Sequence, residues 1–182
     1  MMRTPGEDLA LVARCKRELP HQHKAFEQLI TAYKDMVYTL CYRMTGNATD
    51  AEDLLQEILT KLFLNIGKFD GRSAFSSWLY RVAYNHCLNF LSQRRTEYTS
   101  TGTLPDGDVI VDASTNVTWQ DERTQAVLES IDPNSRSLLV MKYVMDLDIK
   151  EISDILQVGL SATKMRLARA RDEFKRMFQE TR

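Results

Sequence analysis

Apolar residues recur every three or four positions along most of the chain, which is the period of an amphipathic helix. A first helix is predicted at about Glu7–Glu18, ahead of Pro20. A second and longer helix is predicted from about Lys24 to Met44, where Gly46 favours a helix end. The apolar positions of this second helix are Phe26, Leu29, Ile30, Tyr33, Val37, Leu40 and Cys41.

Capping signals predict two further helices in the N-terminal half. Thr49 lies three residues before Glu52, the spacing of a capping box, so a third helix is predicted to start there and to end near Gly67. Ser73 is predicted to cap a fourth helix that runs to about Arg95. Four consecutive amphipathic helices predict a helical bundle.

The C-terminal part shows the same period. One helix is predicted at about Thr118–Ile131. Asp132 followed by Pro133 predicts the N-cap and first turn of the next helix, which runs to about Val144.

The last two predicted helices have the outline of a helix-turn-helix: Ile149–Leu156, a four-residue turn, and a long helix from Ser161 to about Phe178. A buried stripe and a basic outer face suit insertion into a DNA major groove. A solvated basic face on a terminal helix is the alternative. The basic residues are Lys164, Arg166, Arg169, Arg171, Lys175 and Arg176.

The stretch between the two helical parts lacks this period and is rich in Thr, Ser, Asp and Gly. Apart from the short apolar patch at 109–111, it predicts a flexible linker over residues 96–117. The predicted fold is therefore all-α, with two small helical domains at 1–95 and 118–182 joined by that linker.

Composition agrees with a helix-rich globular chain of 182 residues, since 43% are hydrophobic, 27% are charged, and Gly and Pro number seven and four. No apolar run approaches the roughly 20 residues that span a bilayer, and no signal-peptide pattern is present. Three widely spaced cysteines predict no disulfide framework. We therefore expect a cytoplasmic protein.

The net charge of −1 argues against a nucleic-acid partner until the chain is divided. Residues 1–95 carry 13 basic and 10 acidic side chains, and residues 123–182 carry 11 and nine. Residues 96–122 carry six acids and no basic residue. The near-neutral total is thus the sum of two mildly basic parts and an acidic middle. This distribution predicts that the acidic linker lowers the free chain's affinity for DNA.

Aromatic and cationic residues alternate around the fourth helix, as a groove for single-stranded nucleic acid requires. The aromatic residues are also candidates for the bundle core, and the pattern leaves both roles open. The residues are Phe69, Phe75, Trp78, Tyr80, Tyr84 and Phe90 beside Lys68, Arg72, Arg81, Asn85, Asn89, Arg94 and Arg95.

Acidic residues open the third helix. Charge complementarity with the helix N-terminus accounts for Glu52 and Asp53, but not for Glu57, which lies further along the helix. Asp53 and Glu57 share a face, which indicates a basic protein partner. His21, His23 and Cys15 lack a further close ligand, so no metal site is predicted.

Three strings resemble the extracytoplasmic-function (ECF) sigma factors of the sigma-70 family. They are AFEQLITAYKDMVYTLCYRMTGNATDAEDLLQEILTKLF, FDGRSAFSSWLYRVAYNHCLNFLSQRR and IKEISDILQVGLSATKMRLARARDEF. Residues 25–95 resemble sigma region 2, and residues 118–178 resemble region 4. The chain departs from the family at Ser153, Gly159 and Thr163, which make the helix-turn-helix packing more polar.

This resemblance implies a subunit that joins bacterial RNA polymerase core and directs promoter recognition and DNA melting. It implies contact with the clamp of the largest catalytic subunit of the core through Asp53, Gln56 and Glu57, and it implies the flap of the core as a further partner. It assigns the minus-ten element, melted to single strands, to Phe69, Arg72, Phe75, Trp78, Arg81 and Asn85. It assigns the duplex minus-thirty-five element to Lys164, Met165, Ala168, Arg169 and Arg171.

The resemblance also implies no catalytic activity, no cofactor, no metal and no small-molecule substrate. It implies control by an anti-sigma factor, which can hold the protein at the inner membrane. Two alternatives stay open from the residues alone. One is a helix-turn-helix repressor that binds a palindromic duplex without polymerase, and the other is a helical adaptor without a DNA role.

Overall fold

A computed structural model describes residues 4–101 and 122–180 of the chain. Within these two stretches the regular structure is helical and contains no strand, which confirms the predicted fold class. A 3-10 turn (Ile66–Lys68) follows α4 and a π-helical turn (Val140–Val144) extends α7. The α-helices described are α1 (Pro5–Glu18), α2 (Lys24–Thr31), α3 (Lys34–Thr45), α4 (Ala48–Asn65), α5 (Phe75–Thr101), α6 (Glu122–Ser130), α7 (Pro133–Leu139), α8 (Ile149–Leu156) and α9 (Leu160–Glu180).

The first five helices form a bundle around α3, which packs against both α4 and α5. Its core consists of apolar side chains from every helix, and many of them are fully removed from water. This burial is the main source of the bundle's stability, at about 25 cal/mol for each Å² of apolar surface. The largest of these side chains are Leu29, Leu40, Met44, Leu54, Ile58, Leu62, Phe75, Leu79 and Tyr80.

The predicted second helix is two helices, because the chain bends at Ala32 and Tyr33. The prediction of one continuous helix from Lys24 to Met44 was wrong. Neither Gly nor Pro marks the bend. Tyr33 is buried, and its hydroxyl donates to the Asp8 carboxylate of α1. A long-range contact fixes the bend, so the local pattern does not reveal it.

The cap of α4 also differs from the prediction. Gly46 ends α3 in the left-handed region with φ 71°, and Asn47 then becomes the N-cap. The Asn47 side chain accepts from the Asp50 amide at 3.0 Å. Thr49 therefore lies inside the helix instead of capping it.

Two other helix starts shift by one or two residues. The Trp78 amide donates to the carbonyl of Ala74, so α5 starts after Ala74 and Ser73 does not cap it. The Thr163 amide donates to the carbonyl of Gly159, so Ser161 lies within the first turn of α9. The helix α5 continues past the predicted end to Thr101.

The residue pattern correctly predicted the starts of α7 and α8. The Asp132 side chain accepts from two amides at the start of α7, and α8 spans the predicted Ile149–Leu156. The predicted start at Thr118, most of the predicted linker and its apolar patch at 109–111 lie outside the described residues. In the part that is described, no helix is both long and apolar enough to cross a bilayer.

The C-terminal helices pack on the bundle through α3 and α5. Arg43 of α3 donates to Gln125 Oε1 of α6 at 2.9 Å. Arg136 of α7 donates to the carbonyl of Met44 at the end of α3 and, at 2.6 Å, to that of Glu129. Both guanidinium groups are buried, and this burial lowers the pKa of each. The two units thus share one continuous core.

Candidate functional site

The outer side of α4 carries the three residues that the resemblance assigns to polymerase binding. Asp53, Gln56 and Glu57 are exposed, and we call them the acidic face of α4. The opposite side of the helix is buried at Ala51, Leu54, Ile58 and Leu62. This division of the helix leaves two carboxylates one turn apart and open to a partner.

Glu57 is in contact with a residue that the sequence analysis did not identify. The Nε2 atom of His86 on α5 lies 2.6 Å from Glu57 Oε2, and its Nδ1 atom lies 2.6 Å from Lys61 Nζ. The partners of His86 precede it by 29 and 25 residues. Only the packing of α5 on α4 brings them together, so no motif marks the contact.

Three of the predicted minus-ten residues form an aromatic cluster of Phe69, Phe75 and Trp78. Their ring centroids lie 5.4 to 5.9 Å apart. Phe69 and Phe75 are only 2% and 1% exposed. In this arrangement neither ring has a free face for a base, because both rings pack into the core of the bundle.

The loop between the two phenylalanines is the exposed part of this region. Lys16 of α1 donates to the carbonyl of Phe69 at 2.6 Å, which fixes the start of the loop. Gly71 turns the chain with φ 77°. Arg72 then extends into solvent with its side chain 89% exposed, and its Nε lies 3.1 Å from Asp70 Oδ2. The loop therefore places the Arg72 guanidinium in solvent, on a backbone whose start is held by Lys16.

The remaining two minus-ten candidates differ in their surroundings. Asn85 is exposed on α5. Arg81 instead donates to the carbonyls of Asp154 and Ile155 at 2.6 and 3.2 Å, at the end of α8. A cation beside the last carbonyls of a helix is favourable, and it holds α8 against α5. The Arg81 guanidinium therefore binds carbonyl groups of the chain itself.

The five predicted minus-thirty-five residues all lie on the exposed surface of α9. They are Lys164, Met165, Ala168, Arg169 and Arg171. Thr163, Leu167 and Ala170 form the buried stripe of this helix and pack toward α7 and α8. These residues therefore present a basic surface of about two turns to solvent.

Arg169 also borders a cleft of about 430 Å³ between the two helical units. On the other side of the cleft, the Tyr84 hydroxyl of α5 donates to Asn134 Oδ1 at 3.2 Å. Burial raises the pKa of Tyr84. Part of the basic surface of α9 is therefore turned toward α5 when the units are packed together.

The polar residues that depart from the family pattern are satisfied locally. Ser153 Oγ donates to the carbonyl of Val158 at 2.6 Å. Thr163 Oγ1 donates to the carbonyl of Gly159 at 3.2 Å. Both side chains are buried and both bonds stabilise the turn between α8 and α9. The departures therefore leave the helix-turn-helix packing intact.

The candidate metal ligands are not brought together. His21 and His23 are exposed, and Cys15 is buried in α1. Over residues 4–101 and 122–180, no three His, Cys, Asp or Glu side chains lie close enough to hold a metal ion. Cys41 and Cys87 lie 3.8 Å apart between sulfurs and are free thiols in the core.

Comparisons with known proteins agree with this geometry. The family described as Sigma-70 region 2 matches residues 29–97, and the family described as Sigma-70, region 4, matches residues 121–174. The ECF RNA polymerase sigma factor SigW of Bacillus subtilis is 30% identical over 95% of this chain and 99% of its own length. This chain belongs to the ECF sigma factors of the sigma-70 family.

Two solved structures of other proteins have the same fold as this sigma factor. One is the sigma factor RpoE in complex with the anti-sigma factor NepR from Bartonella quintana, with TM-score 0.72 and 17% identity over 87% of this chain and 99% of that one. Another is CnrH in complex with the cytosolic domain of CnrY, with TM-score 0.70 and 20% identity over 97% of this chain and 99% of that one. These likenesses support the two-unit helical architecture.

Proposed function

We propose that this sigma factor binds core RNA polymerase through the acidic face of α4 and directs the complex to promoters. The observation that carries the proposal is that Asp53, Gln56 and Glu57 are exposed together on a helix whose other side is fully used by the core. Helix-end electrostatics does not require Glu57 at this position. An exposed carboxylate at this position suits a basic partner surface, and the clamp of the core is the partner that the family implies for this helix.

The minus-ten role is assigned to the loop and to the outer side of α5. Arg72 and Asn85 are exposed and suited to hold a melted strand and a base turned out of the stack. Trp78 is half-buried at the loop base. We assign Phe69 and Phe75 the task of supporting this loop from the core.

The minus-thirty-five role is assigned to the exposed surface of α9. Lys164, Arg169 and Arg171 supply cations for phosphates or base edges, whereas Met165 and Ala168 offer only apolar contact. DNA shape therefore contributes to recognition by this helix.

The packed arrangement supports control by release of the two units from each other. Arg81 is bound to α8, and Arg169 borders the cleft beside α5. Both residues must leave these positions before region 2 and region 4 can bind separate promoter elements. The relatives solved with NepR and CnrY are bound to anti-sigma proteins, which supports a partner of the same kind here.

We further propose that the protein has no enzymatic activity and needs no cofactor. It acts in the cytoplasm, or at the inner membrane when its anti-sigma factor is anchored there. Residues 1–95 are assigned to core and minus-ten binding, and residues 118–182 to minus-thirty-five binding.

The decisive experiment is promoter-directed transcription by purified bacterial core polymerase with and without the protein, together with core binding. Asp53→Arg combined with Glu57→Arg is expected to abolish core binding, since two carboxylates become cations facing a basic partner. The matched control is Glu27→Arg with Asp35→Arg, which makes the same charge change at exposed positions of α2 and α3. Equal loss in both variants, or no loss in either, would remove the assigned role of the acidic face.

A further inference from the structure

The contact between α4 and α5 beside the acidic face contains three polar groups in one hydrogen-bonded row. Lys61 Nζ lies 2.6 Å from His86 Nδ1, and His86 Nε2 lies 2.6 Å from Glu57 Oε2. Lys61 and Glu57 are one turn apart on α4, so α4 supplies both ends of the row and α5 supplies its centre.

The chemistry of Lys61 fixes the direction of these bonds. An ammonium group donates and cannot accept, so His86 Nδ1 must be the acceptor. The ring proton then lies on Nε2 and is donated to the Glu57 carboxylate. The row runs from Lys61 through His86 to Glu57, and it turns an imidazole into a directed donor for one carboxylate oxygen.

Exposure separates the roles of His86 and Glu57. The His86 side chain is 11% exposed, whereas that of Glu57 is 63% exposed. Packing between the helices therefore immobilises the donor, while most of the carboxylate stays open to a partner. A glutamate held in this way has already lost part of the side-chain freedom that binding would otherwise remove.

We propose that His86 is a positioning residue that fixes Glu57 for binding to core RNA polymerase. The inference rests on the proposed role of the acidic face. Pre-ordering one side chain of this kind is expected to raise core affinity by roughly two- to tenfold, through the lower entropy loss on binding. Lys61 contributes by holding the ring in the tautomer that donates to Glu57.

The test is a double-mutant cycle in core affinity between positions 57 and 86. His86→Leu keeps the apolar packing and removes the donor, so affinity should fall two- to tenfold. His86→Gln is the conservative variant, since its amide can place a donor near the former Nε2, and it should retain most of the affinity. In a Glu57→Ala background, His86→Leu should cause no further loss.

The outcomes separate the possible failures. If Glu57→Ala leaves core affinity unchanged, Glu57 does not take part in core binding and the role of His86 falls with it, whereas the acidic face as a whole is refuted only by the double charge reversal. If Glu57→Ala weakens binding but His86→Leu does not, or weakens it equally in both backgrounds, only the positioning role is wrong. An independent check is the ¹⁵N spectrum of the imidazole, in which protonation of Nδ1 in place of Nε2 would overturn the inference.

Discussion

A single hydrogen bond between the two helical units offers a direct test of whether they are packed together in the free protein. Arg43 of α3 is 6% exposed and donates to Gln125 Oε1 at 2.9 Å. Gln125→Ala removes this acceptor without touching a residue assigned to polymerase or DNA. We expect the variant to shift the protein toward separated units, where water can solvate Arg43.

The size of the shift follows from the charge on the donor. A hydrogen bond to a charged group stabilises by roughly 1.5–3 kcal/mol, and Gln125→Ala removes one such bond from the Arg43 cation. At 1.4 kcal/mol for each factor of ten, Gln125→Ala changes the ratio of packed to separated protein by about 10- to 150-fold. The cation–π contact of Arg43 with Tyr42, at 5.7 Å to the ring centroid, offsets only a small part of this loss.

Fluorescence energy transfer between the two units measures this ratio. Thr60→Cys on α4 and Lys150→Cys on α8 provide exposed labelling positions. The native thiols are buried, so the labels should react with the introduced thiols. Burial raises the pKa of Cys15, and the hydrogen bond with Cys41, followed by burial, raises the pKa of Cys87. Gln125→Ala should show a larger population at long distance than the parent.

The control is Glu122→Gln, an exposed position on the same helix. It should leave the distance distribution unchanged. If Gln125→Ala gives the same distribution as the parent while circular dichroism shows intact helices, the Arg43 contact does not hold the units together and the reasoning is refuted.

The end of α3, one core thiol and the two helices assigned to DNA binding give four more tests. A Cβ at Gly46 would meet the flexible end of the Glu129 side chain, which can move, so Gly46→Ala should cost about 1 kcal/mol from the left-handed backbone. Urea unfolding measures this cost, and a loss above about 3 kcal/mol would show a rigid clash. Burial raises the pKa of Cys15 from 9.0 to about 11, so the stability that this neutral thiol contributes below pH 9.0 is lost as the pH rises toward 11. Cys15→Ala should therefore flatten the decline of Tm over this pH range. An unchanged decline would contradict the prediction. Arg169→Ala should weaken binding to duplex minus-thirty-five DNA and reduce the slope of log affinity against log salt concentration by about one, and an unaltered affinity would count against this role. Asn85→Ala should impair open-complex formation more than core binding, and equal losses in the two would count against that role.

The sequence predicted some of the helix ends that local chemistry decides. Asp132 caps α7 through two backbone amides, and Asp148 closes a capping box at the start of α8. The helical period did not predict the bend at Tyr33, whose buried hydroxyl contacts Asp8, 25 residues away. Residue patterns therefore located the helices and the Asp132 cap, placed the caps of α4, α5 and α9 one or two residues away from their positions in the structure, and missed a bend inside a predicted helix.

The candidate site residues also fall into two groups: those whose exposure the helical period predicted and those whose position depends on tertiary packing. The exposed acids of α4 and the basic surface of α9 follow directly from helical period, since their opposite sides are apolar. Composition alone did not separate core from surface among the aromatic residues, and Phe69 and Phe75 proved to be buried. Arg43 and Arg136 were also hidden from sequence reasoning, because arginine is rarely buried unless a second unit covers it.

The helix α5 explains why the region assigned to the minus-ten element was the hardest to interpret. One side of it packs on α3 and α4, and another contacts α7 and α8, so apolar residues occur on more than one side and the helical period is weak. Arg81 and Tyr84 lie on the side that meets the C-terminal unit. On the proposed function these same side chains become available to DNA when the units separate. Aromatic and basic residues that alternate along α5 are therefore consistent with one surface that two partners occupy in succession, first the protein's own region 4 and then the promoter.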